Sequence, residues 1–134
     1  MDTAFLPSSY TVLVVDSDPQ DSADLKALLE RSGYQTRTYH SGEALLRELP
    51  ECDRNCCLIA EVELPGMTGL ELISRLRQDQ RFVPALILTR LGDVPTAVRA
   101  MRGDVADYLT KPYVERDLIE RLRQALLREG RRLH

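Results

Sequence analysis

The run Thr11 to Val15, TVLVV, is short, β-branched and almost wholly apolar, which suits a strand buried on both faces better than any helix. It ends in the acidic turn DSDP, where Pro19 opens a stretch to Ser32 that spaces Ala23, Leu25, Leu28 and Leu29 along one helical face. Gly33 then stands where a helix terminates. The same alternation recurs. Tyr34 to Tyr39, Cys57 to Ala60, Ala85 to Leu88 and Val105 to Leu109 read as further strands. Between and after them lie helical patterns. Ser41 caps one that carries Glu43 in its first turn and ends at Pro50; others span Leu70 to Arg81, Pro95 to Arg102 and Glu115 to Arg128. Five strands alternating with five helices through short connections predict an α/β fold, a parallel sheet with helices on both faces.

At 134 residues the chain suits one domain, because two of half that size would each bury too little surface. Residues 1–10 read as a flexible lead, 11–128 as the domain and 129–134 as the start of a linker or tail. The net charge of -3 offers no nucleic-acid face. The dense basic run Arg128, Arg131 and Arg132 reads as solvated. The first residues have neither a basic start nor a long apolar stretch, so no secretory or membrane segment is expected there, no membrane partner is assigned, and the compartment is read as cytoplasmic. Cys52, Cys56 and Cys57 lie together without the partners a zinc site needs. Cys57 is placed in a core strand, with Cys52 and Cys56 more exposed.

In an open parallel sheet the functional crevice lies beyond the carboxyl ends of the strands. Asp16, Ser17 and Asp18 follow the first strand, Glu61 ends the third, Thr89 follows the fourth, and Lys111 with Pro112 follows the fifth. Carboxylates supply the hard oxygens a divalent cation prefers, while a hydroxyl and an ammonium hold phosphoryl oxygens. Each residue alone has a plainer reading: Asp18 caps a helix, Thr89 satisfies a strand end, Lys111 is a surface charge. Their convergence on one rim is what points to chemistry. No GxxxxGK or GxGxxG loop is present, which argues against a nucleotide-binding enzyme. His40 and His134 lack any partner pattern.

With VLVVDSD (Val12 to Asp18), ELPGMTGLEL (Glu63 to Leu72), LTRLGDVPTAVRAMRG (Leu88 to Gly103) and ADYLTKPY (Ala106 to Tyr113) in this order, the chain resembles the receiver domains of two-component response regulators. It is most similar to those of the nitrogen-fixation regulator type. The resemblance implies a flavodoxin-like, doubly wound sheet of strand order 2-1-3-4-5. In that family an aspartate ending the third strand accepts a phosphoryl group from a kinase histidine, with magnesium held by that aspartate, an acidic pair and a backbone carbonyl. Carried over, the acceptor position falls on Glu61, the acidic pocket on Asp16, Ser17 and Asp18, and the carbonyl on Glu63. The sensing hydroxyl falls on Thr89, the lysine on Lys111 and the switching aromatic on Tyr108. The implied metal ligands are Asp16, Glu61 and Glu63.

Two positions depart from the family pattern. Glu61 carries its carboxylate about 1.5 Å farther from the backbone than aspartate, and about an ångström of misplacement can cost roughly a hundredfold in a transfer that depends on alignment. Ser17 replaces an acidic ligand with a neutral one, so weak or absent Mg2+ binding and no required cofactor are expected. A non-enzymatic, phosphorylation-independent signalling module follows. Either Glu61 imitates a phosphoaspartate towards Thr89 and Tyr108, or it pairs with Lys111 in a fixed scaffold. The alternatives are a weakly phosphorylatable magnesium-dependent receiver and a small metal-dependent phosphatase built on Asp16, Asp18 and Glu61. Arg90, where the resemblance implies a small residue, is long enough to cover the pocket or to pair with Glu61. The expected partners are a second copy through the fourth helix, fifth strand and fifth helix, a sensor kinase, and DNA only through an output domain outside this chain.

Overall fold

The central strands of the sheet are the apolar ones, and the edge strands are polar. β1 (Thr11–Val15), β3 (Cys56–Glu61) and β4 (Ala85–Thr89) are buried almost throughout, whereas β2 (Gln35–Tyr39) and β5 (Asp107–Thr110) are mixed. All pairings are parallel in the order β2-β1-β3-β4-β5, as expected. The computed structural model describes residues 5–49, 55–91 and 105–132, with side chains through 128.

Period-two alternation divides the core. Leu13, Val15, Leu58, Ala60 and Ile87 face one side with Leu45, Leu72 and Ile73 from α2 (Gly42–Glu48) and α3 (Gly69–Gln78). Val12, Val14, Ile59, Leu86 and Leu88 face the other with Leu25 and Leu29 from α1 (Pro19–Arg31) and Leu118 and Leu122 from α4 (Glu115–Arg132). Each fully buried aliphatic side chain contributes about 1.5–3 kcal/mol, so the three central strands are held from both faces. Among the described residues no helix is long and apolar enough to cross a membrane.

Local signals set the helix ends. Asp18 caps α1, accepting from the N–H groups of Gln20 and Asp21, and Pro19 follows at the first helical position. Ser41 accepts from the Ala44 N–H at α2. Thr68 and Glu71 form a reciprocal capping box at α3. Gly33, at φ +98°, releases the chain from α1 into β2.

Two expectations are corrected. The fold has four α-helices and one 3-10 turn (Pro7–Ser9) among the described residues, not five helices. The fourth expected helix, Pro95 to Arg102, lies outside the described residues, so the C-terminal helix is α4. Cys56, expected nearer the surface, is buried, because β3 begins one residue earlier than its apolar pattern indicated, and it is disulfide-bonded. Cys57 is a buried free thiol, its pKa pushed up to about 12 by burial.

Candidate functional site

Strand order reverses about β1, so the carboxyl ends of β1 and β3 open side by side into the crevice this topology reserves for function. Asp16 leaves β1 and Glu61 ends β3. β4 contributes Thr89, and the Lys111 N–H donates to the Thr89 carbonyl at 2.6 Å, which sets the lysine beside the same rim, ahead of a cis bond to Pro112.

Lys111 is the hub. Its Nζ lies 2.7 Å from Asp16 Oδ2, 3.0 Å from Asp21 Oδ2 and 3.3 Å from Glu61 Oε1. Asp16 and Glu61 are 3% and 4% exposed, so these are buried ion pairs, where removing one partner costs far more than at a surface. The other oxygen of Asp16 accepts the Asp18 N–H at 2.9 Å. Arg90 reaches over from the end of β4, 2.6 Å from Asp21 Oδ2 through its terminal nitrogen and 3.8 Å from Glu61 Oε1 through Nε.

Burial pushes the Glu61 carboxyl above its ordinary range, the adjacent Asp16 carboxyl pushes it further, and Lys111 opposes both. For Lys111 burial acts downward, yet its bonds to Asp16 and Asp21 and the charges of Asp16 and Glu61 outweigh it and hold the ammonium up. The lysine stays charged.

A second, separate contact lies beside the hub. Glu63, in the turn between β3 and α3, directs its carboxylate to β4. Its Oε2 accepts from the Thr89 hydroxyl at 2.7 Å and its Oε1 from the Arg90 N–H at 2.8 Å. The turn is pinned by Val62 N–H to the Leu88 carbonyl and by Gly69 N–H to the Val62 carbonyl. A Cβ at Gly69 would collide with the Glu61 carbonyl oxygen, so α3 begins hard against the end of β3.

The structure therefore brings Asp16, Glu61 and Lys111 into direct contact and places Thr89 and Glu63 together next to them. Asp18 serves as the α1 cap, and Ser17 is exposed, lining a cleft of about 340 Å³ beside Asp16, Lys26 and His40. Tyr108 is half-buried in β5 against the α2 and α3 side of the core, and its carbonyl accepts from Arg121. Asp21 escaped the sequence reading. Its one signal was an acidic residue a helical turn beyond Asp16 to Asp18, which reads equally as helix-dipole compensation. The Glu63 side chain also escaped it, since only the backbone of that position carried a role.

Among the described residues no three or more His, Cys, Asp or Glu side chains are arranged to hold a metal ion. The carboxylates of Asp16, Asp21 and Glu61 surround the Lys111 ammonium instead.

Residues 12–123 match the response regulator receiver domain model. The chain belongs to this family. Among curated receivers, the transcriptional regulatory protein FixJ of Rhizobium meliloti (strain 1021) is 32% identical over 118 residues, 88% of this chain and 57% of that protein. FixJ of Azorhizobium caulinodans is 35% identical over 125 residues, 93% and 59% of the two chains. The crystal structure of FixJ-N superposes with a TM-score of 0.78 at 32% identity, covering 87% of this receiver and 93% of that chain. The response regulator StyR gives 0.81 at 30% identity, covering 92% and 62%. This receiver thus spans 57–59% of the length of those FixJ relatives.

Proposed function

We propose that this receiver signals without being phosphorylated, its pocket held in one arrangement by its own charges. The observation that carries the reading is the contact between Glu61 and Lys111 at 3.3 Å, inside a cluster where the same ammonium also binds Asp16 and Asp21. A phosphoryl donor needs a free carboxylate oxygen aligned for attack and a cation to offset charge on the transferring group. Here Glu61 Oε1 is drawn to Lys111 and flanked by Arg90, and both oxygens of Asp16 are taken. The lengthened side chain reaches across the pocket, towards the ammonium.

Of the two atypical readings, a charge-locked scaffold has the better support, because the Thr89 hydroxyl is engaged by Glu63 and not by Glu61. Incubation with acetyl phosphate and magnesium, followed by intact mass measurement, is expected to leave the mass unchanged. Stoichiometric addition of one phosphoryl group at Glu61 refutes the proposal in favour of a magnesium-dependent receiver.

Within a longer protein, the domain over residues 11–128 is proposed to pass its state to an output domain that regulates transcription. The support is that the FixJ relatives are transcriptional regulators of greater length. Self-association through the β5 and α4 face is proposed on the mixed apolar and charged character of its sequence; the rest of the expected interface, 92–104, lies outside the described residues. Sedimentation over a concentration series is expected to show a dimer; monomer throughout removes this part of the proposal.

A further inference from the structure

Thr89 has no exposed surface, and its hydroxyl donates to Glu63 Oε2 at 2.7 Å while accepting the Leu91 N–H at 2.9 Å. The adjacent Arg90 N–H donates to the other oxygen of the same carboxylate at 2.8 Å. One anion thus bridges a hydroxyl and a backbone amide at the exit of β4, with the short, charge-assisted geometry that two oxygens of a bound oxyanion would provide. From the outside, the Arg90 guanidinium is tied to Asp21 at 2.6 Å. The same residue is held through its backbone from the turn after β3 and through its side chain from α1. Glu61 takes no part in the hydroxyl contact.

We infer that Glu63 is a built-in oxyanion ligand for the Thr89 and Arg90 corner, holding the exit of β4 in a ligand-bound arrangement without any added group. This rests on the reading above that the receiver works unphosphorylated, and it assigns the phosphoryl-like role to a side chain two residues beyond Glu61. The turn geometry makes it possible: with Val62 and Gly69 fixed by backbone hydrogen bonds, Glu63 faces β4 across one strand spacing.

Amide hydrogen exchange measured residue by residue tests it. In the unaltered chain the Arg90 and Leu91 amides are expected to exchange at least about tenfold more slowly than in an unstructured chain. Glu63→Ala removes the acceptor of the Arg90 amide and releases the Thr89 hydroxyl that accepts from Leu91, and is expected to accelerate both by about tenfold or more, with Leu86 and Leu88 still protected. Glu61→Gln is expected to leave both slow. Unprotected amides in the unaltered chain overturn the inference whether or not a variant folds. So does unchanged protection in Glu63→Ala, or equal acceleration in Glu61→Gln. Phosphoryl addition at Glu61 with both amides slow would strike the earlier reading alone, and unprotected amides without phosphoryl addition would strike this one alone.

Discussion

Replacing Lys111 with methionine isolates the hub, because the variant keeps a long apolar stem and deletes only the charge. The lysine side chain is 5% exposed, as is that of Glu61, and that of Asp16 is 2% exposed. Asp21, at 32%, still meets water. The substitution strands two buried carboxylates, and an uncompensated buried charge costs about 3–5 kcal/mol; the loss at Asp21 adds less than about 1 kcal/mol. Proton uptake at Glu61 relieves part of this, so a loss of about 3 kcal/mol is expected at neutral pH. With a urea slope of about 2 kcal/mol/M for a domain of this size, the unfolding midpoint falls by about 1.5 M. Repeating the titration at lower pH checks the cause. Glu61 takes up a proton above the ordinary carboxylate range, so the difference between Lys111→Met and the unaltered chain should shrink as the solution is acidified. A loss under about 1 kcal/mol at neutral pH, or one equal at every pH, refutes the reasoning.

Further expectations concern the same rim. The folded-state pKa of Glu61 lies above its ordinary 4.5, so its contribution to stability is complete below that value and is lost as pH rises through the folded one; Glu61→Gln should flatten the stability profile in the range just above 4.5, measured by denaturation at successive pH values. Gly69→Ala drives a Cβ into the Glu61 carbonyl and should cost about 1–3 kcal/mol by urea unfolding. Arg90→Ala removes a half-exposed pair with Asp21 and should change stability by less than about 1 kcal/mol in the same assay.

The sheet was legible because its signals are local and repeated. The β-branched run at Thr11 to Val15 forms β1 at those residues, and Ser41, Asp18 and Gly33 act where their chemistry placed them. The rim was legible by topology, since residues at the carboxyl ends of parallel strands must gather; Asp16, Glu61 and Lys111 did so. Partner choice within the rim was not. Chain order carries no information on whether Glu61 or Glu63 reaches the Thr89 hydroxyl, because that depends on how α3 docks against β3, and docking is set by the Gly69 approach and the Val62 hydrogen bonds. Asp21 was hidden for a related reason. A first-turn acid is commonplace on any helix, and its role appears only when a lysine ninety residues away arrives beside it.

The ionic inventory of the hub has an arithmetical consequence. Two cations, Lys111 and Arg90, meet three acids, Asp16, Asp21 and Glu61, leaving one negative charge in excess when all are ionised. A single proton brings the set to neutrality. A phosphoryl group carried on Glu61 would instead replace a carboxylate of one negative charge by a group of roughly one and a half to two, deepening that excess where a proton removes it.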